Sequence, residues 1–79
     1  MSGARDVVEV IGRALADYPD AIEVTEREQH DTIRVELTSE PGDLGKLIGR
    51  QGRTAAAVRT LAQAAVERDG LRVMVDFLD

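Results

Sequence analysis

The chain has 79 residues, of which 43% are hydrophobic and only 3% aromatic, with no cysteine and a formal net charge of −5. That is enough apolar material for one small core and too little for a deep catalytic cavity; it excludes a disulfide framework and cysteine-based zinc sites and fits a reducing compartment. Met1 to Asp6 has neither the basic nor the apolar part of a secretory leader, and no apolar run approaches the roughly 18 residues of a membrane span, so a cytoplasmic protein without a membrane partner is expected.

The first predicted element is a helix from about Asp6 to Asp17, with Asp6 as N-cap and Val7, Ile11, Ala14, Leu15 and Tyr18 at helical spacing. Gly12 weakens it by about 1 kcal/mol relative to alanine, which points to close packing against another backbone or to simple tolerance. Tyr18-Pro19-Asp20 ends it. Ala21 to Arg27, with Ile22 and Val24, and Thr32 to Thr38, with Ile33, Val35 and Leu37, alternate as strands. Glu28-Gln29-His30-Asp31 between them is short enough for a hairpin but has no strong turn dipeptide, so the register stays open.

Ser39 to Asp43 reads as a loop, with Asp43 capping a short helix that runs to about Ile48. After a glycine turn, an alanine-rich helix from Thr54 to Arg68 carries Val58, Leu61, Ala62 and Ala65 as its core stripe and turns Arg59, Gln63 and Glu67 outward; Gly70 stops it. In the last strand, Leu71, Val73, Val75 and Phe77 alternate with Arg72, Met74, Asp76 and Leu78. A hairpin followed by a helical crossover makes an α+β chain in which the last strand lies parallel to the second, in a three-stranded mixed sheet covered on one face by three helices. Met74 and Leu78 then fall on the open face, where they hint at a partner.

The charge is unevenly distributed. Leu44 to Val66 holds four cations (Lys46, Arg50, Arg53, Arg59) and no acid, whereas the rest holds six cations against fifteen acids. A local basic patch in an acidic body suits an anionic ligand held at one place. The patch centres on Gly45-Lys46-Leu47-Ile48-Gly49-Arg50-Gln51-Gly52-Arg53. Glycine tolerates positive φ and lets a partner's backbone come close, and the helix that begins at about Thr54 offers unpaired N–H groups and a partial positive charge. Those are the needs of a phosphate-bearing ligand.

Other chemistry has little support. Gly45-Lys46 is followed by Leu47, so the phosphate-loop pattern of nucleotide-binding proteins is absent. A lone His30 without cysteines makes no metal site, and the acids Asp20, Glu23, Glu26, Glu28 and Asp31 around the hairpin read as a solvated face. No catalytic constellation, metal or cofactor is expected.

Ile48-Gly49-Arg50-Gln51-Gly52 between two helices resembles the I-G-x-x-G signature of KH domains, and the order αββααβ is that of the type II KH fold. The wider run from Gly45 to Leu61 is similar to the small bacterial single-KH RNA-binding proteins (KhpA-like), and the resemblance covers about Val7 to Phe77 of a single domain with an ordered core of about 6–78. It implies that Gly49, Arg50, Gln51 and Gly52 clamp the sugar-phosphate backbone of about four single-stranded nucleotides. Ile48 would line an apolar groove for the bases, Gly45 would leave room for them, Lys46, Arg53 and Arg59 would add phosphate contacts, and Thr54 at the helix start would be among the RNA-binding residues. Many KH domains carry a bulky aliphatic residue where this chain has Ala55; the single-KH group resembles this chain in having alanine there. A shallow groove of low sequence specificity is the expectation. The resemblance also implies a non-enzymatic RNA chaperone or post-transcriptional regulator, working as a homodimer or with a larger KH-containing partner of the Jag type. The surplus alanines of the last helix, Ala56, Ala57 and Ala64 among them, are compatible with such packing. Two other readings stay open: a protein-interaction module whose GxxG turn is structural, and a binder of single-stranded DNA.

Overall fold

The computed structural model describes residues 2–78. The chain forms helix α1 (Gly3–Leu15), strands β1 (Glu23–Gln29) and β2 (Thr32–Thr38), helices α2 (Pro41–Ile48) and α3 (Arg53–Val66), and strand β3 (Arg72–Leu78). Single 3-10 turns occupy Pro19–Ala21, Arg50–Gly52 and Glu67–Asp69.

Helix α1 starts three residues earlier than its periodicity suggested. Ser2, in extended conformation, is the N-cap, and its Oγ accepts the Arg5 N–H at 3.0 Å; Asp6, expected as the cap, lies inside the first turn. The buried stripe moves accordingly to Ala4, Val8 and Gly12, with Ile11 at its edge. The expected stripe fails at its C-terminal end, since Ala14, Leu15 and Tyr18 are exposed. Residues of minimal bulk explain the shift: a Cβ on Gly12 would stand 2.8 Å from Leu37 Cδ1, so the helix sits down on the sheet where its side chains are smallest. The close neighbour of Gly12 is thus a core side chain rather than backbone. The helix ends at Leu15, and Pro19 opens the 3-10 turn that leads into β1.

The sheet has the order β1-β2-β3. Strands β1 and β2 pair antiparallel from Glu23↔Thr38 to Gln29↔Thr32, and β2 and β3 pair parallel from Thr32↔Arg72 to Thr38↔Leu78. The hairpin turn is therefore His30-Asp31, tighter than the four residues left open by the sequence, with His30 taking a φ of +58°. This register aligns Ile33, Val35 and Leu37 with Val73, Val75 and Phe77 beneath the helices. The opposite face is polar, with Arg27 paired to Glu36 at 3.1 Å and Arg34 to Asp76 at 2.8 Å, and Met74 lies exposed among them as expected.

Two polar clamps close the helical face. Register also turns Glu26 inward, opposite Val35, and Ser2 donates to its carboxylate from both its backbone N–H and its Oγ. Asp43, expected to cap α2, does not do so. Pro41 provides the first helical position with Glu40 as N-cap, which puts Asp43 in the first turn and 98% buried by its 2% relative exposure. Its Oδ1 accepts the Asp17 N–H at 3.1 Å and its Oδ2 the Tyr18 N–H at 3.0 Å, so the carboxylate holds the loop after α1 to α2.

Helix α3 buries Ala55, Val58, Ala62 and Val66, which corrects the expected stripe: Leu61 is 52% exposed and Ala65 is also exposed. Gln63, expected to face outward, instead binds β3, its Nε2 donating to Leu71 O at 2.8 Å and its Oε1 accepting the Val73 N–H at 3.0 Å. The reason is the strand order: β3 is an edge strand, and its outer backbone groups need partners that α3 supplies. The mixed sheet with αββααβ order is the type II KH fold.

Two predictions follow from the clamps. Asp43→Ala leaves the Asp17 and Tyr18 amides without an acceptor and should lower unfolding stability by about 2–4 kcal/mol in urea titration; a loss below about 0.5 kcal/mol would remove Asp43 from this role. Ser2 donation holds the Glu26 carboxyl below its ordinary value of 4.5. A carboxylate depressed in the folded state stabilises above its unfolded pKa and loses that stabilisation as pH falls through the folded one. Thermal midpoints should therefore fall as pH drops below about 4.5, and Glu26→Gln should flatten that part of the profile; an unchanged slope would contradict the clamp.

Candidate nucleic-acid interface

The junction of α2 and α3 is built by backbone geometry. Helix α2 ends when the Gly49 N–H returns to Gly45 O at 2.8 Å, and Gly49 then adopts φ +77° and ψ 170°. A Cβ there would lie 2.3 Å from Thr54 Oγ1 and 2.9 Å from Thr54 N, so only glycine fits. The 3-10 turn Arg50–Gly52 follows, in which Gln51 has a φ of +58° and Gly52 a φ of +72°. A Cβ on Gly52 would meet nothing within 4 Å, so glycine serves there for its φ alone. Gly52 is also the N-cap of α3, and no side chain among the described residues caps that helix start.

Beside the turn runs a shallow cleft of about 330 Å³, at the small end of ligand-binding clefts. Ile48, Gly52, Ala55 and Arg59 line one side, and Asp76, Phe77 and Leu78 of β3 the other. The structure thus brings Ile48, Gly52 and Arg59 together along one cleft of mixed polar and apolar lining, which the Gly49–Gly52 turn joins through Gly52. Ala55 is buried beneath the cleft and supplies little bulk, in keeping with a shallow groove. Gly45 is exposed, and a Cβ on it would meet nothing within 4 Å.

The cations of the patch divide into distinct environments. Arg50 and Arg53 are exposed, and among the described residues neither side chain has an ion-pair or hydrogen-bond partner; their backbones are joined by the Arg53 N–H donating to Arg50 O. Lys46 is turned toward the loop after α1, where its Nζ pairs with the Asp17 carboxylate; that hydrogen bond raises the Lys46 pKa above the ordinary lysine value. Thr54 is half-buried against Gly49, which gives it a packing role in the turn. Arg59 lies against the strand: its Nε donates to Val75 O at 3.3 Å and its guanidinium carbon is 5.5 Å from the centre of the Phe77 ring.

Sequence reasoning missed the β3 wall. Alternation places Phe77 opposite the open sheet face and Leu78 on it, and both line the cleft at the sheet edge. The available signal was topological: a last strand parallel to β2 and unpaired on its other side must run beside the turn that precedes α3. Among the described residues there is no cluster of three or more potential metal ligands, and no helix is long and apolar enough to cross a membrane.

Comparison with known proteins places the chain in a family. The family model described as the KH domain of KhpA/KhpB matches residues 5–77. A protein of Caldanaerobacter subterraneus subsp. tengcongensis named RNA-binding protein KhpA is 47% identical over 73 residues, covering 92% of this chain and 97% of its own. A protein of the same name from Aquifex aeolicus is 42% identical with full coverage of both chains, 100% each. One from Chlamydia trachomatis is 35% identical over 95% of this chain and 96% of its own. Among solved structures, Era in complex with MgGDPNP and a segment of 16S ribosomal RNA superposes with a TM-score of 0.69 at 20% identity, over 94% of this chain and 28% of the Era chain, a likeness of fold. On the match across residues 5–77 and these identities, the chain belongs to the KhpA/KhpB KH-domain family.

Proposed function

We propose that this protein binds single-stranded RNA, without catalysing a reaction, by laying the sugar-phosphate backbone over the Gly49–Gly52 turn and the bases into the cleft beside it. The observation that carries this reading is the pair Arg50 and Arg53, whose exposed side chains are unpaired among the described residues on the turn that joins the cleft at Gly52, in a chain of net charge −5. Unpaired cations lose no existing salt bridge when they meet phosphate, and the uncapped start of α3 adds N–H donors. The names of the relatives point the same way. Lys46 contributes less than the arginines, because phosphate must compete with Asp17 for it. Within a cytoplasmic cell compartment the reading is that of an RNA chaperone or post-transcriptional regulator.

A module with two free arginines binds weakly alone, and pairing two modules raises affinity through effective concentration. A face for such pairing is available between α1 and α3, where Val10 is 68% and Leu61 52% exposed beside Val7 and Ile11. That face supports self-association or docking of a larger KH-containing protein of the Jag type, and it lies apart from the residues assigned to RNA.

Two measurements test this reading. Arg50→Asp with Gln51→Asp keeps both glycines of the turn, so circular dichroism should remain that of the wild type while affinity for short single-stranded RNA drops at least tenfold. Wild-type affinity should fall with log salt at a slope of about −1.4 to −2.1, for two or three phosphates at −0.7 each. A salt-independent affinity, or a folded double variant that binds like the wild type, would leave the turn structural and favour a protein-interaction module; equal competition by matched DNA would widen the ligand class to single strands in general. Leu61→Asp should shift sedimentation toward the monomer or abolish capture of a KH-containing partner, and an unaltered assembly would exclude the α1–α3 face.

A further inference from the structure

Arg59 differs from the other cations of the patch in how it is held. Its Nε is committed to Val75 O at 3.3 Å, and the Phe77 ring lies 5.5 Å from its guanidinium carbon. These contacts hold the group against β3, laying it along that wall of the cleft instead of out at the turn with Arg50 and Arg53. The terminal amino groups remain, and among the described residues neither has a hydrogen-bond or ion-pair partner. What the cleft contains is therefore a planar fork of two parallel N–H donors, oriented in advance by the strand and the ring, between Ile48 and Ala55 on one side and Phe77 on the other. A phosphate can also take such a fork, but this one lies along the cleft wall where the bases are placed rather than out at the turn. A flat ligand with two neighbouring acceptors in its own plane matches this fork.

We infer that Arg59 reads a base, and that it selects a base with two neighbouring in-plane acceptors, guanine through O6 and N7 or cytosine through O2 and N3. This rests on the RNA-binding reading above and adds a base preference to it. Guanine presents O6 and N7 side by side and is the usual partner of a bidentate arginine, and cytosine in a single strand presents O2 and N3 side by side on its Watson–Crick edge; adenine sets its N6 donor beside N7 and N1, and uracil sets N3–H between O2 and O4, so in either one arm of the fork would face a donor. The shallow floor over Ala55 accepts any flat base, so discrimination is left to the fork. Sequence preference thus belongs to one residue of the cleft, while the turn binds all sequences alike.

The test uses uridine octamers with one central guanosine, 7-deazaguanosine, adenosine or cytidine, titrated against the wild type, Arg59→Lys and Arg59→Ala at two salt concentrations, with circular dichroism for folding. The wild type should bind the guanosine strand about five- to hundredfold more tightly than plain uridine, the range of a bidentate pair, and 7-deazaguanosine, which lacks N7, should lose most of that gain. Arg59→Lys keeps the charge and removes the fork, so the guanosine-to-uridine ratio should approach one while the salt slope stays near that of the wild type. The inference is overturned if the wild type binds all strands equally, if it prefers adenosine, or if folded Arg59→Ala retains the guanosine preference; a cytidine gain that Arg59→Ala removes supports it. It is equally overturned if Arg59→Ala weakens every strand by one factor and makes the salt slope shallower by about 0.7, the mark of a lost phosphate contact. Absence of binding to every strand would bring down the RNA reading itself and this inference with it, which separates the two failures.

Discussion

The chain reversal at Gly49 is the constraint on which the rest of the interface depends. With φ at +77° and Thr54 filling the space a side chain would need, Gly49 lets α2 end and α3 begin within four residues. That tight junction brings Ile48, the last residue of α2, beside Ala55, in the first turn of α3, and opens the cleft along β3. A looser connection would separate the two helices and take the floor away. Gln51 adopts φ +58° within the same turn, a conformation unusual for a residue with a side chain, and this exposes its amide at the tip.

The sheet provides the second wall because of its topology. A parallel β3 at the edge leaves outer backbone groups to be satisfied, and α3 supplies side chains four residues apart for the purpose: Gln63 for Leu71 and Val73, Arg59 for Val75. The same arrangement blunts the edge against unwanted strand pairing and places a guanidinium in the cleft. Fold stability and ligand recognition therefore meet in one helix face. Elsewhere the acids are occupied in holding the body together, as with Asp43 on the Asp17 and Tyr18 amides and Glu26 on Ser2. An acidic protein with a small basic end confines an anionic strand to that end.

Much of this was readable in the residues. Element order, the crossover, the parallel last strand and the glycine turn all came from periodicity and punctuation, because each rests on local signals that tertiary contacts reinforce. The misplaced features share a cause. The stripes of α1 and α3 were placed by helical spacing, which found Val58 and Ala62 but also took in Leu15 and Leu61, whereas close helix packing selected Ala4, Gly12 and Ala55. Asp43 has the chemistry of an N-cap and was placed as one, but Pro41 had already started the helix and freed the carboxylate for another backbone. Lys46 was counted with the patch because it is near in sequence; its pairing with Asp17 depends on how the loop after α1 returns, which no local pattern reveals. Among the site residues, the turn was found through its motif, while Phe77 and Leu78 were hidden by strand alternation, which says which face a residue takes and not what lies beside it.

The central claim is that one surface, formed by the turn and the β3 wall, receives the strand. Amide resonances of the 15N-labelled protein titrated with a short single-stranded RNA at low salt test it most directly, because each residue reports separately. The account predicts that shifts concentrate at Ile48 to Ala55 and at Arg59, Phe77 and Leu78, with the open sheet face around Arg27 and Arg34 unmoved. Shifts confined to that sheet face or to the α1–α3 surface at Val10 and Leu61, with the turn silent, would contradict it.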